Sequence, residues 1–312
     1  MSWEEWKTRY EAKLLEVLSI PELAAPSKVI QSGWTTQNGI EVSTVSFEFD
    51  TWIVTKEEDH HGGPTGLVIG RPIKPDATKP LIFAIHGHEE NHRGDIPRTF
   101  FNEGKWPLEL VRHGYTVVAP SHLLYKQAQQ LYKKYDYIPV WMKFLQYAVD
   151  AVDHLEGIPQ FRGKGALGVS AGGYSALMLA SLRSDIDFAV GAGSIATLDF
   201  FRTYLRIKDH PENWDITNLH SYTPIYLLGA DKRMQWQVGK LDSWYPNSTP
   251  LPGGKRMRPT ARDLLSTDVA GNFLILKKIA DNVGGDMELV IHEKGHTMDV
   301  PRALEFIESD SE

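Results

Sequence analysis

From Pro80 onward the chain alternates short, wholly apolar runs with stretches of helical periodicity. The runs are Leu81–Ile85, Thr116–Ala119, Ala166–Val169, Phe188–Val190, Ile225–Leu228 and Leu289–Ile291. Runs this short and this uniformly apolar read as strands buried on both faces. Between them, Trp106–His113, Trp141–Leu155, Tyr174–Leu182, Ala261–Val283 and Pro301–Glu308 carry a helical pattern. In the second of these, Trp141, Leu145, Ala148, Val152 and Leu155 recur every three or four residues and form one apolar face. Buried strands alternating with helices predict an α/β fold, a mainly parallel sheet with helices on both faces.

Upstream of Pro80 the pattern differs. Ser2-Trp-Glu-Glu5 has the form of a capping box, and Trp3, Trp6, Tyr10, Leu14 and Leu18 give one apolar stripe that Pro21 and Pro26 end. This predicts an N-terminal helix within an extension over residues 1–39. From Ile40 the period drops to two, through Val45, Phe47, Phe49 and Trp52-Ile-Val. After the turn-rich stretch Glu57–Gly66, the run Gly66–Gly70 completes an antiparallel hairpin. The pair His60-His61 falls in that turn region and reads as part of a solvated loop. No linker, repeat or low-complexity segment divides the chain, so residues 1–312 read as one domain. The longest irregular stretch, Lys232–Thr260, reads either as a lid or the wall of a pocket or as a plain surface excursion.

Composition narrows the chemistry. The chain has 312 residues, 42% of them hydrophobic and 23% charged, with a formal net charge of −7. That is ordinary for a globular protein, and with no basic block it argues against nucleic acid or an anionic membrane surface as partner. There is no cysteine, which excludes disulfides, thiolate metal sites and a cysteine nucleophile. The polar start, Met-Ser-Trp-Glu-Glu-Trp-Lys, lacks the form of a signal peptide, and no apolar stretch is long enough to span a membrane. Cytoplasmic location without a membrane span is the expectation, and homo-oligomerisation stays open.

The stretch that organises these elements is Gly168-Val169-Ser170-Ala171-Gly172. A serine held at the apex of a sharp strand-to-helix turn needs small residues two positions either side, because bulkier ones would clash across the turn. There its hydroxyl stands clear of the backbone, and the N–H groups that follow point to where an oxyanion would form. Such a serine is inert until a base takes its proton, and the base must be oriented by a third group. The chain supplies a carboxylate at Asp231, after Pro224–Leu228, and a histidine at His296, after Met287–Ile291. Asp242 and Asp263 compete for the acid role, and His292 is a rival base. The order Ser170…Asp231…His296 is that of an α/β-hydrolase.

The run Leu81–Ile85 ends in His86-Gly87-His88-Glu89-Glu90-Asn91-His92. A glycine at a strand end lets the backbone approach an oxyanion, and the N–H of His88 is the candidate donor beside that of Ala171. Three histidines and two acids could instead hold a metal, which would make activity sensitive to a chelator.

With these residues in view, the chain resembles the α/β-hydrolase superfamily. Within it, the chain is similar to the bacterial esterases grouped with dienelactone hydrolases and acetyl xylan esterases. The resemblance rests on the Trp-rich N-terminal helix, His86-Gly87-His88, His113-Gly114-Tyr115 before Thr116–Pro120, Trp141–Asp153 leading to Gly168–Gly173, and Gly295-His296. It implies a nucleophile at Ser170, an acid at Asp231, a base at His296 and oxyanion donors at His88 and Ala171. It also implies a serine esterase that needs no cofactor or metal and acts on a small-molecule ester. Two features depart from the pattern. Dienelactone hydrolases proper use a cysteine, and the segment after Pro120 reads Ser121-His122-Leu-Leu rather than an Asp-x-Arg-Gly-x-Gly-like turn. A peptidase or acyltransferase on the same triad, or an inactive hydrolase fold that only binds, stays open as an alternative.

Overall fold

A computed structural model describes residues 24–49, 66–87, 100–121, 137–194, 228–242 and 280–309, with Glu5, Thr8, Phe273, Lys277 and Lys278. The expected N-terminal helix lies almost wholly outside the described residues, as do His60-His61, Trp52-Ile-Val, residues 88–99 and 243–260. Two compact units are distinguished, residues 19–166 and residues 167–312 together with Met1–Leu18.

The first unit contains β1 (Lys28–Gln31), β2 (Thr35–Gln37), β3 (Ile40–Glu48), β4 (Gly66–Arg71), β5 (Leu81–Ile85) and β6 (Val117–Pro120), with α1 (Trp106–Arg112) and α2 (Tyr137–Val152). Its strand order is β1-β3-β4-β6-β5, with β2 also paired to β3. The expected hairpin is present, with β3 antiparallel to β4 and Glu41 opposite Arg71. Arg71 Nη2 lies 2.8 Å from Glu41, and its guanidinium stacks 3.7 Å from the Trp34 ring centroid. From β5 onward the pairing becomes parallel, Ile82 facing Val117. Every residue of β5 is buried, and each large apolar side chain of this kind contributes about 1.5–3 kcal/mol. Helix α2 packs back on β3 through Phe144 against Phe47, ring centroids 5.7 Å apart. The unbroken apolar run is thus a strand and the apolar face of Trp141–Val152 a docked helix, as the sequence predicts.

Strand β7 (Lys164–Val169) spans the boundary between the units. The second unit then holds α3 (Ala171–Leu182), β8 (Phe188–Ala192), β9 (Arg233–Gly239), β10 (Asp286–His292) and α4 (Val300–Glu308). Its order β8-β9-β10 is parallel throughout, Phe188 and Asp286 both facing Arg233. Helix α3 is buried on nearly all sides from Gly172 to Ser181. The hydroxyls of its two buried serines are satisfied within the helix, Ser175 donating to Ala171 O at 3.0 Å and Ser181 to Leu177 O at 2.9 Å.

One strand lies where the sequence reading put a loop. The segment Arg233-Met-Gln-Trp-Gln-Val-Gly239 is β9, not the start of an irregular stretch, and Leu228 belongs to a helical turn instead of a strand. Two buried glutamines, Gln235 at 1% exposure and Gln237 at 0%, break the apolar run that would have marked it. They are affordable because both amides are bonded. Gln237 donates to Gln235 Oε1 at 2.7 Å and to Asp299 O at 3.1 Å, and accepts from Asp299 N–H at 2.7 Å. Gln235 donates to Glu288 at 2.8 Å. A buried amide left without partners would cost about 1–3 kcal/mol. Paired this way, the two glutamines clamp the start of α4 to β9.

Candidate active site

Ser170 follows β7 immediately and forms the N-cap of α3. Its backbone sits at φ 59°, ψ −125°, one of two non-glycine residues with positive φ among those described. That conformation costs about 1–3 kcal/mol and persists only when the surroundings enforce it. Ser170 N–H donates to Ala192 O at 2.7 Å, while its carbonyl accepts from Gly173 and Tyr174 at 2.9 and 3.2 Å. The turn therefore binds to β8 on one side and opens α3 on the other. A Cβ at Gly168 would sit 2.1 Å from Gly172 O, so the strand end and the first helical turn close on each other only without a side chain. Ser170 does not use its hydroxyl as a helix cap, and the residue is half-buried. The N–H groups of Ala171 and Gly172, in the first turn of α3, have no acceptor within the helix and carry its positive dipole end.

His296 lies in the loop between β10 and α4, with its side chain 24% exposed. Its Nδ1 is 2.7 Å from Oδ2 of Asp242, whose side chain is wholly buried. With the carboxylate accepting, Nδ1 is the donor and Nε2 is left as the basic nitrogen. Four contacts fix this pair. Asp242 N–H donates to Gly239 O at 3.0 Å, turning the chain just past β9. Lys240 and Leu241 N–H donate to His292 O and Lys294 O at 2.8 and 3.1 Å, which ties that turn to the loop carrying His296. Gly193, at φ +57°, presents its bare Cα to the imidazole. A Cβ there would lie 2.8 Å from the ring and 3.4 Å from Asp242 Oδ2. Gly193 directly follows Ala192, the residue that receives the Ser170 N–H. Ser170 and the His296–Asp242 pair thus meet on the same dipeptide at the end of β8.

The expectation that Asp231 partners His296 is corrected. Asp231 is exposed in the turn that precedes β9. The pair Asp242–His296 lies beyond the other end of that strand, which at seven residues is about 20 Å long. The strand that leads to the acid is β9, which begins after Asp231 and ends before the rival Asp242. Asp263 lies outside the described residues. His292, the rival base, is the last residue of β10 and is 4% exposed.

In the first unit, β5 ends at Ile85 and is followed by His86, whose Nδ1 bonds to Gly87 O at 2.8 Å. His88, the expected second oxyanion donor, lies outside the described residues, as does the rest of its loop to His92. Among the described residues no group of histidines and acids could hold a metal ion, and no helix is long and apolar enough to cross a membrane.

No protein-family profile and no curated protein matches the chain in sequence. Solved structures do match it in fold. A glucuronoyl esterase from Solibacter usitatus aligns with a TM-score of 0.58 at 15% identity, over 98% of this chain and 93% of its own. An acetyl xylan esterase from Paenibacillus sp. R4 aligns with a TM-score of 0.54 at 15% identity, over 96% and 93%. Acetyl xylan esterase 1 from Thermoanaerobacterium sp. JW/SL YS485 gives 0.52 at 14% identity, over 96% and 92%. With a mostly parallel sheet, helices between its strands and a strained serine at a strand-to-helix turn, the chain has the α/β-hydrolase fold of these esterases.

Proposed function

We propose that the protein is a serine carboxylic-ester hydrolase acting on small or short-chain esters through Ser170, His296 and Asp242. The observation that carries this reading is the 2.7 Å bond from His296 Nδ1 to the buried Asp242, seated on the same β8 end that receives the Ser170 N–H. The three solved esterases support ester hydrolysis as the reaction class.

In this mechanism Nε2 of His296 takes the Ser170 hydroxyl proton as Oγ attacks the ester carbonyl. Asp242 keeps the proton on Nδ1 and stabilises the imidazolium that forms. The Ala171 N–H, at the positive end of α3, faces the developing oxyanion, and the N–H of His88 is proposed as its second donor. The imidazolium gives its proton to the leaving alkoxide, and water then attacks the acyl-enzyme by the same proton route in reverse. No cofactor enters these steps.

A fluorophosphonate probe should label the protein at Ser170, and hydrolysis of a short-chain aryl ester should vanish with that label in Ser170→Ala. Retained hydrolysis in Ser170→Ala would refute the assignment. Labelling without turnover of any ester, amide or acyl acceptor would point to a binding protein on this fold.

A further inference from the structure

The loop that carries His296 begins at a second histidine for which the mechanism has no use. His292 closes β10, is 4% exposed, and accepts the backbone N–H of Lys294 on its Nδ1 at 3.2 Å. An imidazole that accepts on Nδ1 must carry its proton on Nε2. That Nε2 is buried and makes no hydrogen bond of normal geometry among the described residues, the Thr297 backbone being the group that favours its proton. The geometry therefore suits only the neutral ring.

Lys294 is the residue through which the loop is registered. Its carbonyl accepts from Leu241 at 3.1 Å, and its ammonium lies 3.1 Å from Asp299 at the start of α4. The next carbonyl, that of Gly295, would lie 2.2 Å from a Cβ on Gly239, so the loop is packed directly on the end of β9. The charged groups around the His292 ring are Lys294 and Asp299 on the segment that follows it and Asp242 beyond β9. Burial holds the ring's pKa below its ordinary 6.5 and Lys294 acts in the same direction, while Asp299, Asp242 and the Thr297 backbone oppose them.

We propose that His292 is a positioning residue for His296: its neutral ring anchors the Lys294 backbone, and its protonation removes that anchor and sets a second cation beside Asp242. The inference rests on the reading of His296 as the base. A protonated His292 has no lone pair on Nδ1, so the Lys294 N–H loses its acceptor. The new charge also draws on the carboxylate that orients His296. One proton on His292 thus disables a base four residues away without touching substrate.

The test measures kcat/KM on an aryl acetate, and the rate of fluorophosphonate labelling, from about pH 4 to 8. The proteins compared are the wild type, His292→Asn and His292→Phe. Asn keeps an acceptor near the Nδ1 position and cannot be protonated in this range, whereas Phe keeps the ring volume and no acceptor. In the wild type the acid limb should steepen from a slope of about one toward two at lower pH as His292 takes its proton. His292→Asn should match the wild type at pH 8 and keep a slope of about one to the lowest pH. His292→Phe should lose about 10²-fold in kcat at every pH, with KM unchanged, because the base is displaced while substrate contacts stay. Identical acid limbs in the wild type and His292→Asn would overturn the proposal. So would full loss of activity in His292→Asn, the protein remaining folded at pH 8. A wild type that neither labels nor hydrolyses would instead overturn the esterase reading, and the present inference with it.

Discussion

The turn after β7 and the turn after β9 each end a strand, and each delivers one polar residue to the proposed triad. They hold those residues by different means. Ser170 is held by its own backbone, in a positive-φ conformation that forces a glycine at 168 because a side chain there would strike Gly172. Asp242 is held mainly by distant neighbours: its turn is tied to the backbone of residues 292–294, and its carboxylate to the His296 imidazole. A residue fixed by local strain needs particular neighbours in sequence, and so leaves a motif. A residue fixed by tertiary contacts needs only a place and leaves none.

Substitutions at the two turns should separate these modes. Ser170→Ala should lower kcat by roughly 10⁴–10⁶, with KM for an aryl ester little changed. Asp242→Asn should cost about 10⁴ in kcat through loss of the correct His296 tautomer, while Asp231→Asn should leave kcat within about twofold. Both are read from steady-state kinetics at pH 8. Gly193→Ala should cost about 10² in kcat, because its methyl group would meet the imidazole at 2.8 Å. It should also lower stability by about 1–2 kcal/mol, because alanine at φ +57° is strained. Gln237→Ala should act more mildly on catalysis and mainly on stability, by about 1–3 kcal/mol in thermal or denaturant unfolding, since it strips both backbone partners from Asp299.

The same contrast decides what the sequence discloses. β5, with Leu-Ile-Phe-Ala-Ile wholly buried, is visible because nothing but burial explains five such residues in a row. β9 is equally buried between its neighbours but reads Arg-Met-Gln-Trp-Gln-Val-Gly, and its glutamines look like loop residues until their partners on α4 are seen. The misplaced strand carried the acid with it, from Asp242 to Asp231. The alternation Met234, Trp236, Val238 was the signal available, since period two with polar residues on the other face is also a strand pattern. His296 needed no such help, because a glycine-histidine pair soon after the apolar run Leu289–Ile291 has few other readings. The serine turn was the most legible of all, for the reason its backbone gives.

A change of pH extends the comparison to the buried His292. Above pH 6.5, its ordinary pKa, the ring is neutral in both the folded and unfolded chain and adds no pH dependence. As the pH falls below that value the unfolded chain takes up a proton that the buried ring resists. Stability should therefore decline until the lowered folded pKa is reached and level off below it. Denaturant unfolding of the wild type and His292→Asn across this range should show that slope only in the wild type.

The most direct test of the account sets Asp242→Asn against Asp231→Asn in the rate of Ser170 labelling by a fluorophosphonate at pH 8. The expected result is labelling slowed by about 10³-fold or more in Asp242→Asn and unchanged in Asp231→Asn. Slowed labelling in Asp231→Asn, with Asp242→Asn behaving as wild type, would contradict it.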